Sequence, residues 1–237
     1  MSVNGGRLPD GAQGVQTRLL YELEAVVEEN LNRHMAIAKD WMPHDYIPWS
    51  RGRDFAFLGG EDWVPEDSPL DPVAKTAMVV NLLTEDNLPS YHREIATRFG
   101  REGAWGQWVG RWTAEEGRHG IALRDYLVVT RGVDPVKLEA LRMEHMTAGY
   151  DSGEKTMLQA VAYVSFQELA TRVSHRNTGA STGCPVAEQL LGPALIEDGA
   201  RVDLARHLEG DARGDVGLDE AGDDVDRRPL RGEDEVD

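Results

Sequence analysis

Apolar residues recur at helical spacing along most of the chain. Between Gln16 and Ala38, Leu19, Leu20, Leu23, Val26, Val27, Leu31 and Met35 gather on one side of an amphipathic helix. The prolines in W-M-P-H-D-Y-I-P-W, Trp41 to Trp49, forbid continued helix. The residues from there to Pro69 are irregular in pattern, with glycines at Gly52, Gly59 and Gly60. Asp71-Pro72 pairs an N-cap with a proline in the first turn. The helix it opens carries Ala77, Met78, Leu82 and Leu83, and Leu88-Pro89 breaks or bends it. A shorter helix then reaches Phe99-Gly100, and a long one runs from about Gly103 to Thr130. Asp134-Pro135 caps a helix to Met146, and a last one spans about Thr156 to His175. No strand-like alternation and no repeat interrupts the series, so the pattern predicts an all-α fold.

Three charged positions break the apolar faces. In the long helix, R-W-T-A-E-E-G-R-H-G-I-A-L-R-D-Y-L, Glu116 and His119 stand three residues apart, about 60° around the axis. Their neighbours on that face, Val109, Trp112 and Leu123, are apolar. A carboxylate and an imidazole on a buried stripe are costly without a partner. A metal is one such partner, and Glu-x-x-His is the motif by which four-helix bundles hold two irons. One such spacing also arises by chance, and a surface helix with an incidental histidine is the other reading. Glu168 is the lone charge on the stripe Val161, Val164, Ser165, Thr171; an ion pair with Arg172 or Arg176 would also account for it. Glu85, at the end of its apolar pattern, taken by itself is a solvated helix-end acid.

Composition narrows the classes. A chain of 237 residues can form one large domain with a substantial core. The single cysteine, Cys184, excludes an internal disulfide and fits a reducing cytosol. The start has no apolar run, so no signal peptide is expected, and nothing approaches the ~20 apolar residues of a membrane span. A cytoplasmic location is therefore expected. From Glu197 onward, 15 acidic residues face 6 arginines, and Phe166 is the last aromatic residue. The expectation is a flexible start over residues 1–15 and an acidic, disordered tail over residues 192–237. A net charge of −17 without a basic stripe argues against nucleic-acid binding.

Three blocks carry a resemblance: T-E-D-N-L-P-S-Y at Thr84–Tyr91, W-T-A-E-E-G-R-H-G at Trp112–Gly120, and S-F-Q-E-L-A-T-R-V-S-H-R-N-T at Ser165–Thr178. With the loop W-M-P-H-D-Y-I-P, in this order and spacing, the chain resembles the soluble acyl-[acyl-carrier-protein] desaturases of actinobacterial type over roughly residues 16–191. The resemblance implies a ferritin-like di-iron four-helix bundle that places a double bond in a fatty-acyl chain held on acyl carrier protein. It implies a ferredoxin-like electron donor and a homodimer. Carried over by position, Glu85, Glu116, His119 and Glu168 are implied metal ligands, with Glu116 bridging two irons. Thr171 is implied to stand beside the oxygen-binding side, and Trp41 on the electron-delivery path near His119.

The same resemblance implies a second Glu-x-x-His about thirty residues after Glu168. That region reads L-L-G-P-A-L-I-E-D-G-A-R-V-D-L-A-R-H, and Leu204 stands three residues before His207. Gly192-Pro193 would break a helix where the motif should begin. The expectation is a bundle whose last core helix is missing or altered. The change at Leu191 has the look of a frameshift or premature ending, with a real divergence and a gene-model error as the other readings. The function expected is acyl-[acyl-carrier-protein] desaturation at family level. Two alternatives stand beside it: a non-catalytic remnant that binds acyl carrier protein or a full-length paralogue, and a mononuclear metal binder.

Overall fold

The structure is a computed structural model that describes residues 12–151, 153 and 155–194. Most of the expected acidic tail and of the flexible start lies outside the described residues. The helices follow the sequence pattern closely: α1 (Ala12–Ile37), α2 (Pro72–Asp86), α3 (Leu88–Phe99), α4 (Gly103–Val129), α5 (Pro135–Ala148), α6 (Met157–Ser181) and the short α7 (Pro185–Gln189). No strand occurs among the described residues. The described chain ends in one turn of π-helix, Leu190–Ala194, at Gly192-Pro193. The last long helix exceeds its expected end at His175 by six residues, because nothing in R-N-T-G-A-S stops it before the turn at Thr182-Gly183.

The caps behave as the sequence implies. Asp71 accepts hydrogen bonds from the amides of Val73 and Ala74, and Asp134 from those of Val136 and Lys137. Thr156 and Gln159 form a reciprocal capping box at the start of α6. The start of α4 is capped across the bundle instead, where Glu24 of α1 accepts from the amide of Ala104. A carboxylate there also answers the positive end of the helix dipole. Gly103 has φ +62°, and a Cβ at that position would fall 2.1 Å from Glu24 Oε1, so only glycine admits this cap.

The centre of the bundle is α4, which packs against α1, α2 and α3, while α2 also meets α5 and α6. One apolar cluster joins Met78 and Leu82 to Leu123, Tyr126 and Leu127, with Leu190 and Leu191 sealing it. The other stacks Phe99, Trp105, Trp108 and Trp112 against Val27, Met157, Ala160 and Val161. On α1 the inner stripe runs Val27, Asn30, Leu31, His34, and Met35 is exposed. Met35 therefore departs from the expected face, because 34 follows 27 and 31 at helical spacing and 35 turns outward. Polar His34 is accepted inside because it meets buried Glu115 at 2.9 Å, and Arg111 bonds the same carboxylate.

The irregular stretch after α1 is built from four single turns of 3₁₀ helix: Pro43–Asp45, Trp49–Arg51, Ala56–Leu58 and Pro65–Asp67. Arg131, at φ +54°, ties it down just past α4. Its guanidinium bonds Asp67 at 2.8 Å and the carbonyl of Glu61 at 3.0 Å and covers the Phe55 ring; its own carbonyl accepts from the Trp63 indole.

Burial separates structural from ornamental side chains. Leu82→Ala, which removes a fully buried side chain from the α2–α4 contact, is expected to cost about 2–5 kcal/mol in chemical denaturation. Phe57→Ala, at 97% exposure, is expected to stay within about 0.5 kcal/mol of the unmodified protein.

Candidate metal centre

The two helices that carry Glu85 and His119 can approach closely because α4 has a glycine where they meet. A Cβ on Gly120 would lie 3.0 Å from Asp86 Oδ1 and 3.7 Å from the Glu85 Cβ. Across this contact His119 Nδ1 lies 2.9 Å from Glu116 Oε2 and 3.5 Å from Glu85 Oε2. All three residues are buried. Each offers a ligand atom within 4.8 Å of the others'. Glu85 is thus no solvated helix-end acid; α2 ends against the core.

These residues suit one divalent cation. Two carboxylates facing one imidazole leave negative charge in a dry interior, and Glu116 Oε1 is buried without a hydrogen-bond partner. Oxygen donors with a single imidazole match the hard to borderline first-row metals, iron among them. Glu168 lies outside the group, and no fourth acid, histidine or cysteine joins it among the described residues.

The third block of the sequence lies along α6. Half-buried Glu168 accepts from the Trp112 indole at 3.1 Å, and that is the partner found for its carboxylate. Thr171 Oγ1 donates to the carbonyl of Gln167 at 2.8 Å and is half-buried. Trp41 is buried and stacks on His119, with centroids 6.2 Å apart and an interplanar angle of 20°. Arg118 bonds the Trp41 carbonyl at 3.1 Å and faces its ring. Sequence reasoning missed His175, which meets Glu85 Oε1 at 2.7 Å and is 2% exposed. The signal was present: His175 follows Glu168 by seven residues, two turns along the same face.

The electrostatics divide the acids. Burial works to raise Glu85, but hydrogen bonds from His119 and His175 outweigh it and bring the carboxyl down to about 2. Burial dominates at Glu116 and raises it against the opposing pull of His119. Burial and then the Glu116 charge push Glu168 up to about 8, despite the Trp112 bond that favours its ionised form. Although the residue as a whole is only half-buried, its carboxyl group faces the interior acids, which is why it behaves as a buried one. A carboxyl raised on folding holds its proton longer in the folded state, so stability is fully present below the unfolded value and is lost as pH rises through the folded one. The melting temperature of the metal-free protein, held with chelator, is therefore expected to fall between about pH 5 and pH 8. Glu168→Gln should flatten that decline, leaving a smaller one of the same sign from Glu116.

The sequence model described as fatty acid desaturase matches residues 15–198. A Mycobacterium tuberculosis protein provisionally named acyl-[acyl-carrier-protein] desaturase DesA1 is 62% identical over 189 residues, covering 76% of this chain and 56% of that one. DesA2 of the same organism, named likewise, is 45% identical over 195 residues, covering 82% of this chain and 69% of its own. The X-ray structure of DesA2 superposes with a TM-score of 0.58 at 39% identity, covering 81% of this chain and 66% of that one. The chain thus spans a little over half the length of DesA1. The all-α, ferritin-like arrangement is shared with that solved structure, the family match covers most of the sequence, and the chain belongs to the fatty acid desaturase family.

Proposed function

We propose that the protein handles the substrate of the acyl-[acyl-carrier-protein] desaturases, holding a fatty-acyl chain in an apolar cleft beside a metal centre of Glu85, Glu116 and His119. The observation that carries this reading is the cleft itself. Between α3, α4 and α6 lies a pocket with about 630 Å³ of empty space, part of it open to solvent. Ile95, Phe99, Ala160 and Val164 supply apolar wall, and Trp112 and Glu168 bring it to the side of the centre.

The family role is O₂-dependent introduction of a double bond, and bound iron supplies the oxidising power for it. What the chain's own residues do is hold and shield. The apolar wall orients methylene groups and excludes water, Glu85, Glu116 and His119 hold the cation, and Glu168 keeps a proton near neutral pH. On this reading Glu85, Glu116 and His119 would hold iron, Thr171 would stand beside it, and Trp41, stacked on His119, would lie toward a ferredoxin-like electron donor. Lys155, which lines the pocket, would answer the acidic carrier protein. No helix among the described residues is long and apolar enough to cross a membrane, in keeping with a cytoplasmic substrate. For a homodimer, exposed Phe166, Leu169 and Val173 along α6 offer apolar surface that a second copy would cover.

Catalytic competence is a separate matter. The 237 residues contain one Glu-x-x-His, Glu116 to His119. Six protein ligands from four helices make the di-iron site of such bundles, and this chain supplies four candidates. We therefore infer an acyl- and metal-binding protein that does not complete desaturation alone.

Titration calorimetry tests the substrate reading. The chain is expected to bind a long-chain acyl-carrier protein at least about tenfold tighter than the acyl-free carrier, a difference of about 1.4 kcal/mol. Val164→Trp, which fills the pocket, should abolish the difference while leaving the helical circular dichroism unchanged. Equal affinity for loaded and unloaded carrier would contradict it. Equilibrium dialysis should find one Fe²⁺ per chain, and incubation with O₂, NADPH, ferredoxin reductase and ferredoxin should yield no unsaturated product; two irons with turnover would overturn the competence argument.

A further inference from the structure

The contact between α2 and α6 is a polar ladder in an otherwise apolar bundle. Asn81 Nδ2 donates to Thr178 Oγ1 at 3.1 Å, and Ser174 Oγ donates to Asn81 Oδ1 at 3.0 Å. One turn further along α2, His175 Nε2 meets Glu85 Oε1 at 2.7 Å. Asn81, Glu85, His175 and Thr178 are all buried. The end of α6 is fixed by close packing, since a Cβ on Gly179 would stand 3.1 Å from the Leu191 Cβ and 3.2 Å from the Ala187 carbonyl. The register that puts His175 on Glu85 is therefore set on both sides of it.

The hydrogen-bond chemistry fixes the tautomer. An ionised carboxylate only accepts, so Nε2 of His175 carries the proton. In the neutral ring Nδ1 is then bare, in agreement with its being buried without a partner. His175 stands outside the group of mutually close ligand atoms and so is not a fourth donor to the cation. Its effect is on Glu85. With Oε1 occupied by His175, Oε2 is the oxygen that faces His119 Nδ1.

We propose that His175 is a positioning residue of the metal centre: its Nε2–H holds one oxygen of Glu85 so that the other is presented, singly, to a cation shared with Glu116 and His119. This rests on the metal-centre reading above. Hydrogen-bonded partners of metal ligands orient them and set their basicity. Asn81, Ser174 and Thr178 serve the same helix contact without touching a ligand, and they separate positioning from packing.

The test is the affinity of the full chain for Co²⁺, by competition with a chelating dye, together with the visible absorption of the bound Co²⁺. His175→Phe keeps a ring and loses the donor; it is expected to bind Co²⁺ about 10–100-fold more weakly with an altered spectrum. His175→Gln, whose amide can donate from near the Nε2 position, should stay within about threefold of the unmodified chain and keep its spectrum. Thr178→Val should lower the melting temperature of the metal-free protein and leave Co²⁺ affinity unchanged. If the phenylalanine does not fold, as judged by circular dichroism, His175→Ala takes its place in the comparison. Unchanged affinity in the donor-less variant, or equal weakening in the Phe and Gln variants, overturns the proposal. Failure of the unmodified chain to bind Co²⁺ removes the centre itself and the proposal with it, while leaving the acyl-binding measurement to stand or fall separately.

Discussion

Two carboxylates and an imidazole meet inside a helical bundle, and that juxtaposition constrains everything around it. Ionised groups in a dry interior must be paired, hydrogen-bonded or bound to a cation. Here Glu85 comes from α2 and Glu116 with His119 from α4, so the helices have to touch at the level of these residues. Gly120 permits the approach. The apolar clusters on either side, Leu82 with Leu123 and Trp108 with Trp112, hold it. The acids then respond differently to one environment. Histidine neighbours bring Glu85 down to about 2, while burial beside Glu116 lifts Glu168 to about 8. Acids shifted in opposite directions within one buried cluster mark a candidate functional site.

Much of this was legible in the chain, and the reasons are local. Asp71-Pro72, Asp134-Pro135 and Thr156 with Gln159 mark helix starts through hydrogen bonds to adjacent amides, which short sequence windows contain. Glu116 and His119 share a face because three residues of helix fix their angle. Glu85 was misjudged in isolation because its burial depends on where α2 meets α4, a fact of packing. His175 was overlooked for the same reason: its seven-residue spacing from Glu168 was visible, but the glutamate it meets lies ninety residues away. Met35 and His34 exchanged places because apolar periodicity favours the methionine, whereas buried Glu115 makes a polar neighbour the better fit. The Arg131 clamp on the irregular segment joins positions more than sixty residues apart and leaves no periodic trace.

The family assignment and the donor set point in complementary directions. The sequence keeps an apolar cleft with Trp112 and Glu168 at its wall, and one Glu-x-x-His. It spans a little over half of DesA1, and the second motif expected from the resemblance does not occur in its 237 residues. A cleft and one cation site need only α2, α3, α4 and α6, which are intact. A second cation would need further donors beyond Glu85, Glu116 and His119.

The metal centre itself is tested most directly by anomalous diffraction from crystals of the chain grown with Zn²⁺. The account predicts one anomalous peak per chain, with Glu85 and Glu116 oxygens and His119 Nδ1 at about 2.0–2.2 Å, and with His175 bonded to Glu85 rather than to the ion. No peak between α2 and α4, or two peaks there bridged by Glu116, would contradict it.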